Sequence, residues 1–273
     1  MSFTTILYET RGAVALLTLN RPERVNALNA AMLTEINRAL DQAEADAGVR
    51  TVIVTGAGNT FSSGFDLKEQ AERRPSGAKD WQPILRHDFD TVMRFWHLSK
   101  PTIAAVRGHC LAGACELMLA CDMTIAGESA VFGEPELRFG AGIVVMLLPW
   151  LVGPKRAKHI LFRGDDTLTA ARAEALGLVN EVVPDAQVLD RALALAQELA
   201  VIDPMVLRET KRAINRSYEI MGLGKALEAA LDIDLAIEGQ GSVDKREFME
   251  IARREGLRGA IAWRDKRFGK KPG

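Results

Sequence analysis

Thr102-Ile-Ala-Ala-Val-Arg-Gly-His-Cys-Leu-Ala-Gly-Ala-Cys-Glu116, with the Phe132-Gly-Glu-Pro-Glu136 that follows it, decides how this chain is read. Residues 102–106 form an uninterrupted apolar run of strand length. Gly108 is a turn, and Ala112-Gly113-Ala114 are small residues that admit close backbone approach before a helix over 115–120. N–H groups at such a helix start point outward as donors for an oxyanion. Glu116 sits in the first helical turn, and Glu136 follows twenty residues later, beyond a short strand over 123–126. That spacing lets the chain return to the same place with a second carboxylate. From the residues alone, Glu116 reads equally as an ordinary acid favoured by the helix dipole.

Working outward, strand, turn and helix alternate. Runs 6–10 and 13–19 flank Arg11-Gly12 as a hairpin, and Asn29 caps a helix with Leu33, Ile36, Leu40 and Ala43 on one face. A strand over 52–55 leads into Gly56-Ala-Gly-Asn-Thr-Phe-Ser-Ser-Gly-Phe-Asp-Leu-Lys68. The polar stretch 69–80, with Pro75 and Gly77, is expected to be a mobile surface loop before a helix over 84–97. This order is that of an α/β protein. Beyond Val183 only helices are predicted, over 186–200, 204–218, 223–238, 243–254 and 256–263. The face made by Leu223, Leu227, Leu231 and Leu235 must cover either the rest of the chain or another subunit.

The 273 residues are 48% hydrophobic, enough for one large core or a core with a smaller appendage. A formal charge of −1 and the lack of long single-sign runs give no electrostatic footprint for nucleic acid or an anionic membrane. The short basic tail 266–271 reads as solvated. The start of the chain runs into a strand pattern without a signal or transit layout, so the protein is expected in the cytoplasm. The longest apolar stretch, 143–152, is about half a membrane span and contains Pro149. Cys110, Cys115 and Cys121 are odd in number and clustered, which fits small core residues in a reducing compartment. With His109 they lack the paired spacing of a structural metal site, and no metal is expected. Gly56-Ala-Gly58 does not make a dinucleotide fingerprint, because Phe61 stands where the third glycine belongs. Ser62-Ser63-Gly64 lacks the first glycine of a nucleophile elbow.

Several landmarks occur in one order: Arg21-Pro22 with Asn26-Ala-Leu28, Phe61-Ser-Ser-Gly-Phe-Asp-Leu-Lys68, the segment 103–122, Phe132-Gly-Glu-Pro-Glu136, and Glu174-Ala-Leu-Gly-Leu-Val-Asn180. On these the chain resembles the enoyl-CoA hydratase/isomerase, or crotonase, family over nearly its whole length. The resemblance implies an α/β spiral of repeated ββα units over 1–200 that carries an acyl-CoA site. It also implies a helical C-terminal region over 201–273 that makes trimer contacts, often within a hexamer built as a dimer of trimers. The substrate would be a coenzyme A thioester, with no permanently bound cofactor. By the same resemblance the N–H groups of Phe65 and Gly113 hold the thioester oxygen as it gains enolate charge. The backbone from Phe65 through Asp66 and Leu67 to Lys68 meets the CoA and its adenine, with Arg24 and Lys68 available to phosphate. Glu116 would be the base on a water added to C3 of a 2-enoyl thioester, and Glu136 the acid for C2; mutual repulsion and burial let two such carboxylates divide the work. Retention of both acids favours hydration over the alternatives, a Δ3,Δ2-enoyl-CoA isomerase or a non-catalytic CoA-binding homologue. Near-neutral charge speaks against an RNA-binding relative.

The pattern departs from the family in two places, at 140–150 and at Phe65. Many hydratases carry a Gly- and Pro-rich loop ending Gly-Gly-Thr-Gln-Arg where this chain has Gly140-Ala-Gly-Ile-Val-Val-Met-Leu-Leu-Pro-Trp150. Its bulky side chains are expected either to reshape the acyl pocket or to pack in the core. Phe65 stands where smaller residues are frequent. Glu134 adds a third carboxylate, expected to pair with Arg138 or face solvent. Trp81, His87 and His97 lie on or beside the helix that in this family can line the acyl tunnel, and no catalytic role is assigned to them.

Overall fold

The computed structural model describes residues 3–269; residues 270 and 271 of the basic tail, and the first two residues of the chain, lie outside the described residues. Among the described residues nine strands run in chain order: β1 (Ile6–Arg11), β2 (Val14–Leu19), β3 (Thr51–Gly56), β4 (Thr102–Val106), β5 (His109–Leu111), β6 (Met123–Gly127), β7 (Val131–Gly133), β8 (Leu168–Thr169) and β9 (Glu181–Val183). Between and after them come helices α1 (Ala30–Ala45), α2 (Leu67–Arg73), α3 (Gly77–His97), α4 (Gly113–Ala120), α5 (Leu148–Val152), α6 (Pro154–Leu161) and α7 (Ala170–Ala175). The chain continues with α8 (Val188–Ala200), α9 (Pro204–Ile220), α10 (Leu223–Gln240) and α11 (Val243–Arg267). No helix among the described residues is long and apolar enough to cross a membrane.

A six-stranded sheet has the order β1-β2-β3-β4-β6-β9, antiparallel only at β1-β2. A smaller sheet, β5-β7-β8, lies beside it. The two sheets are visited in turn: β4 then β5, β6 then β7, and β3 followed by Ser62, which bridges to Cys110 of β5. Each such pair leads into helix, and this is the ββα spiral. The strands of the large sheet read as continuous apolar runs because both faces are covered. Leu17, Val52, Val54, Ala104 and Val106 face the main core with α1, α3 and α4. Val14, Leu16, Ile53, Ile103 and Ile125 face the other way, onto Val188, Ala192 and Ala196 of α8.

Residues 69–80 are not the expected mobile loop. Asp66 caps α2 by accepting from the N–H groups of Lys68 and Glu69, both at 3.1 Å, and Arg73–Glu69 (2.9 Å) and Lys68–Glu72 (3.7 Å) bridge successive turns. Only residues 74–76 break the helices, and α3 begins at Gly77. The polarity of this stretch belongs to outward faces, while Ala71 and Trp81 are buried. The leucine face of α10 packs within the chain: Leu223, Leu227 and Leu231 are buried in the main core, with α10 lying along α3. The helices predicted over 243–254 and 256–263 form the two arms of α11, separated by the non-helical Gly256.

Candidate functional site

The site is built first by a clamp at the start of the chain. Val25 and Asn26 both adopt positive φ, 54° and 50°. This turns the Asn26 side chain inward, where its amide donates to the carbonyls of Ala57 (2.9 Å) and Thr60 (3.0 Å) and its oxygen accepts from the Arg21 N–H at 3.0 Å. Ser62 Oγ donates to the Asn26 carbonyl at 2.7 Å. The 56–65 segment is thereby held against β5. Arg21 also binds Asp66 Oδ2 at 2.9 Å, so the Asp66 carboxylate is committed to this clamp and to the α2 cap. Asp66 is left with only its backbone to offer a ligand, while Lys68 keeps an exposed side chain.

That clamp sets Gly64 against Ala112-Gly113. A Cβ on Gly64, whose φ is +90°, would stand 2.6 Å from the Ala112 Cβ and 3.1 Å from the Gly113 nitrogen, so only glycine allows the approach. Ala112 itself holds φ 55° and ψ −138°, a conformation costly for any residue with a Cβ. The strain falls where the chain turns into α4 and frees the first helical N–H. Neither the Phe65 N–H nor the Gly113 N–H donates a backbone hydrogen bond among the described residues. The Phe65 ring lies directly on Gly113, where an added Cβ would come within 2.3 Å of it.

Glu116, on α4, is 1% exposed, and its two oxygens accept from the N–H groups of Val144 (3.2 Å) and Val145 (3.1 Å). Ile143, Val144, Val145, Leu147 and Leu148 are buried in the main core. The apolar 143–148 segment thus packs as core while its backbone grips a carboxylate, and Val144 also lines the cavity beside it. Glu136 opens a short 3-10 turn, Glu136–Phe139, that Pro135 initiates. Glu134 is neither paired with Arg138 nor exposed. Its N–H bonds the Asp165 carbonyl at 2.9 Å, which turns the side chain inward to 2% exposure, while Arg138 pairs with Asp166 at 3.1 Å.

Carboxylate oxygens of Glu116, Glu134 and Glu136 lie within 4.8 Å of one another, and these are the one group among the described residues with metal-ligand spacing. The same spacing serves the sharing of protons, and the electrostatics favour it. Burial pushes Glu116 well above the carboxylate range, Glu136 and Asp234 add to this, and the Val145 and Val144 N–H groups oppose it. Burial likewise raises Glu134, then the charges of Glu136 and Glu116. Glu136 is pushed up to about 8, again chiefly by burial. Glu116 is therefore the member whose ionised form has two fixed donors.

Glu116 and Glu136 line a cavity of about 700 Å³. The exposed Arg24, Lys68 and Arg258 are among its lining. The lining also holds Trp81, which the resemblance places beside the acyl tunnel, and four residues with no sequence motif to mark them: Asp88 of α3, Asp234 and Glu238 of α10, and Lys245 of α11. Lys245 Nζ binds both Glu238 oxygens, at 2.9 and 2.8 Å, and lies 4.9 Å from the Trp81 ring centre. Asp88 is pushed up to about 8 and Asp234 to about 7, each mainly by burial. A signal for two of them was present: Asp234 and Glu238 continue the buried stripe of Leu223, Leu227 and Leu231, where an amphipathic helix should carry apolar residues. His97 lies outside this cavity and His87 faces a separate hollow beside Asp88.

A two-sheet ββα spiral with unpaired N–H groups beside buried carboxyls opens here onto a cleft of the size that binds small molecules. The family model for enoyl-CoA hydratase/isomerase matches residues 9–250, and the chain belongs to that family. The 2,3-dehydroadipyl-CoA hydratase of Escherichia coli is 38% identical over 226 residues, 80% of this chain and 82% of that one. The short-chain-enoyl-CoA hydratase of Clostridium acetobutylicum is 35% identical over 225 residues, 80% and 84% of the two chains. Among solved structures, an enoyl-CoA hydratase/isomerase from Xanthobacter autotrophicus Py2 superposes with a TM-score of 0.97 at 65% identity, covering 98% and 99% of the two chains.

Proposed function

We propose that the protein adds water across the C2=C3 bond of a 2-enoyl-CoA thioester. The observation that carries this reading is the pair Glu116 and Glu136, both buried and both facing one cavity beside unpaired backbone donors. The thioester carbonyl accepts from the Phe65 and Gly113 N–H groups, and their fixed dipoles stabilise the enolate that forms as water attacks C3. Glu116 is itself raised by burial, but it alone of the two acids has two N–H groups, of Val144 and Val145, that oppose the shift and support its ionised form, in which it takes the proton from water. Glu136, raised to about 8, holds a proton at neutral pH and delivers it to C2. The CoA arm runs along the backbone of residues 65–68, and Arg24 and Lys68 attract its phosphates. Loss of 2-enoyl-CoA absorbance, followed in wild type and in Glu116→Gln and Glu136→Gln, tests the assignment. Full turnover in either variant would remove that acid from it. An isomerase instead would convert a 3-enoyl-CoA and keep that activity without Glu116.

We further infer a homotrimer or a hexamer, with 201–273 as the trimerisation element. Val201, Met205, Val206, Ile214, Ile220, Met221 and Ile233 are exposed apolar side chains on or next to α9 and α10, a surface that monomers rarely leave bare. Light scattering after gel filtration reads the state directly. The three free, buried cysteines suit the cytoplasm.

A further inference from the structure

Asp234 is a buried acid that the chemistry above does not use. It is 2% exposed, and neither carboxylate oxygen has a hydrogen-bond partner. Its place on the helix is the place of a core leucine, following Leu223, Leu227 and Leu231. It lines the cavity and sits directly over Gly142, whose added Cβ would fall 1.9 Å from Asp234 Oδ1. Gly142 belongs to the same loop that holds Glu116 through Val144 and Val145. Asp234 is thus fixed beside the part of the cavity where an acyl group must lie. A purely hydrocarbon acyl group would leave both oxygens unsatisfied when bound, at a cost in affinity.

We propose that Asp234 selects an acyl group bearing a hydroxyl, with which its carboxyl exchanges a hydrogen bond. This rests on the reading of the cavity as an acyl-thioester site. The neighbouring groups narrow the choice of substituent. A carboxylate on the acyl group would meet Asp88, Asp234 and Glu238, and the cation nearby, Lys245, is already bound by Glu238. An ammonium group would need ionised partners, whereas burial and neighbouring charge raise Asp88 to about 8 and Asp234 to about 7 and so disfavour the ionised form of each. A hydroxyl both donates and accepts, so it matches a carboxyl in either protonation state.

The test is binding of saturated, unreactive acyl-CoA thioesters by calorimetry, which does not depend on hydration. Alkanoyl-CoAs of four to eight carbons are compared with hydroxyalkanoyl-CoAs carrying the hydroxyl at successive positions from C4 outward, the 3-hydroxy thioester being left out because it is the product of hydration, and with the terminally amino-substituted series. Wild type is expected to bind at least one hydroxylated thioester tenfold or more tighter than its methyl isostere. Asp234→Leu is expected to reverse that order while retaining alkanoyl-CoA binding and gaining thermal stability. Asp234→Asn, which keeps an acceptor and nearly the same shape, should keep part of the preference. The proposal is overturned if wild type prefers no hydroxylated member, if the preference is unchanged in Asp234→Leu, or if an amino-substituted thioester binds tighter than the hydroxylated one. Binding of no acyl-CoA at all would instead bring down the acyl-thioester reading on which the proposal stands.

Discussion

Two walls of one cavity carry buried acids and treat them in opposite ways. On the wall formed by α4 and the β7 segment, Glu116 and Glu136, with Glu134 close to both, come from about twenty residues of chain and stand among backbone N–H donors and one another. On the wall formed by α3, α10 and α11, Asp88, Asp234 and Glu238 come from distant segments; Lys245 neutralises one and Asp234 is left unpartnered. On the proposed reading, the first arrangement stores protons where covalent bonds change. The second is costly to the fold without a ligand, and costly buried polar groups concentrate where specificity is needed. Buried carboxyls alone therefore do not mark a catalytic wall. The donors around them do.

The comparison breaks most visibly at the first wall. Glu116→Gln and Glu136→Gln should each lower hydration by ~10³-fold or more, the scale of losing a general acid or base, with saturated acyl-CoA affinity little changed. Steady-state rates beside binding isotherms check this. At the second wall Lys245→Met should leave Glu238 buried and unpaired and cost roughly 3–5 kcal/mol of stability in urea unfolding. Adding Glu238→Leu should restore most of it, because the pair is replaced by apolar packing rather than broken.

Between the walls, Gly113→Ala places a Cβ against the Phe65 ring and displaces one of the two donors. A loss of about 10²–10³ in kcat is expected, as for removal of an oxyanion donor, and Phe65→Ala in the same chain should recover part of it by making room. Two smaller effects follow from pH. Hydration should fall about tenfold per unit above pH 8, as the acid group centred on Glu136 loses its proton, and a pH–rate profile reads this limb as a property of the coupled acids. Asp88 has its folded pKa raised from 3.8 to about 8, so it binds more protons folded than unfolded across that window. Its contribution to stability is complete below about pH 4 and is lost as pH rises toward 8, with a limiting slope of about 1.4 kcal/mol per pH unit. Unfolding of Asp88→Asn at pH 5 and pH 8 should show a smaller decline than wild type.

The legible parts of this molecule were local ones. The strand over 102–106, the turn into α4, the Asn29 cap and the helices after Val183 follow from apolar period, capping residues and glycine placement, each acting within one or two turns of chain. Glu116 and Glu136 were visible because one short unit carries both. Stretch 69–80 was misread because the outward faces of α2 and α3 hide a few inward residues, so local polarity imitated a loop. Glu134 was misread because a contact with Arg138 is plausible at that spacing, and the backbone bond to Asp165 that turns it inward lies thirty residues away. Asp234 and Glu238 left a trace as polar residues in a leucine stripe, but nothing nearby says what they face.

The order of residues determined the elements, the small-residue approach at 64 and 113, and the kinds of group available for chemistry, since steric and hydrogen-bonding preferences of the backbone act over short range. Which acids share a proton, which one is paired with Lys245 and which one waits unpartnered over Gly142 were decided only when α10 and α11 closed the cavity. Desolvation and Coulomb interaction depend on what surrounds a group in space, and that surrounding is assembled from residues more than a hundred positions apart.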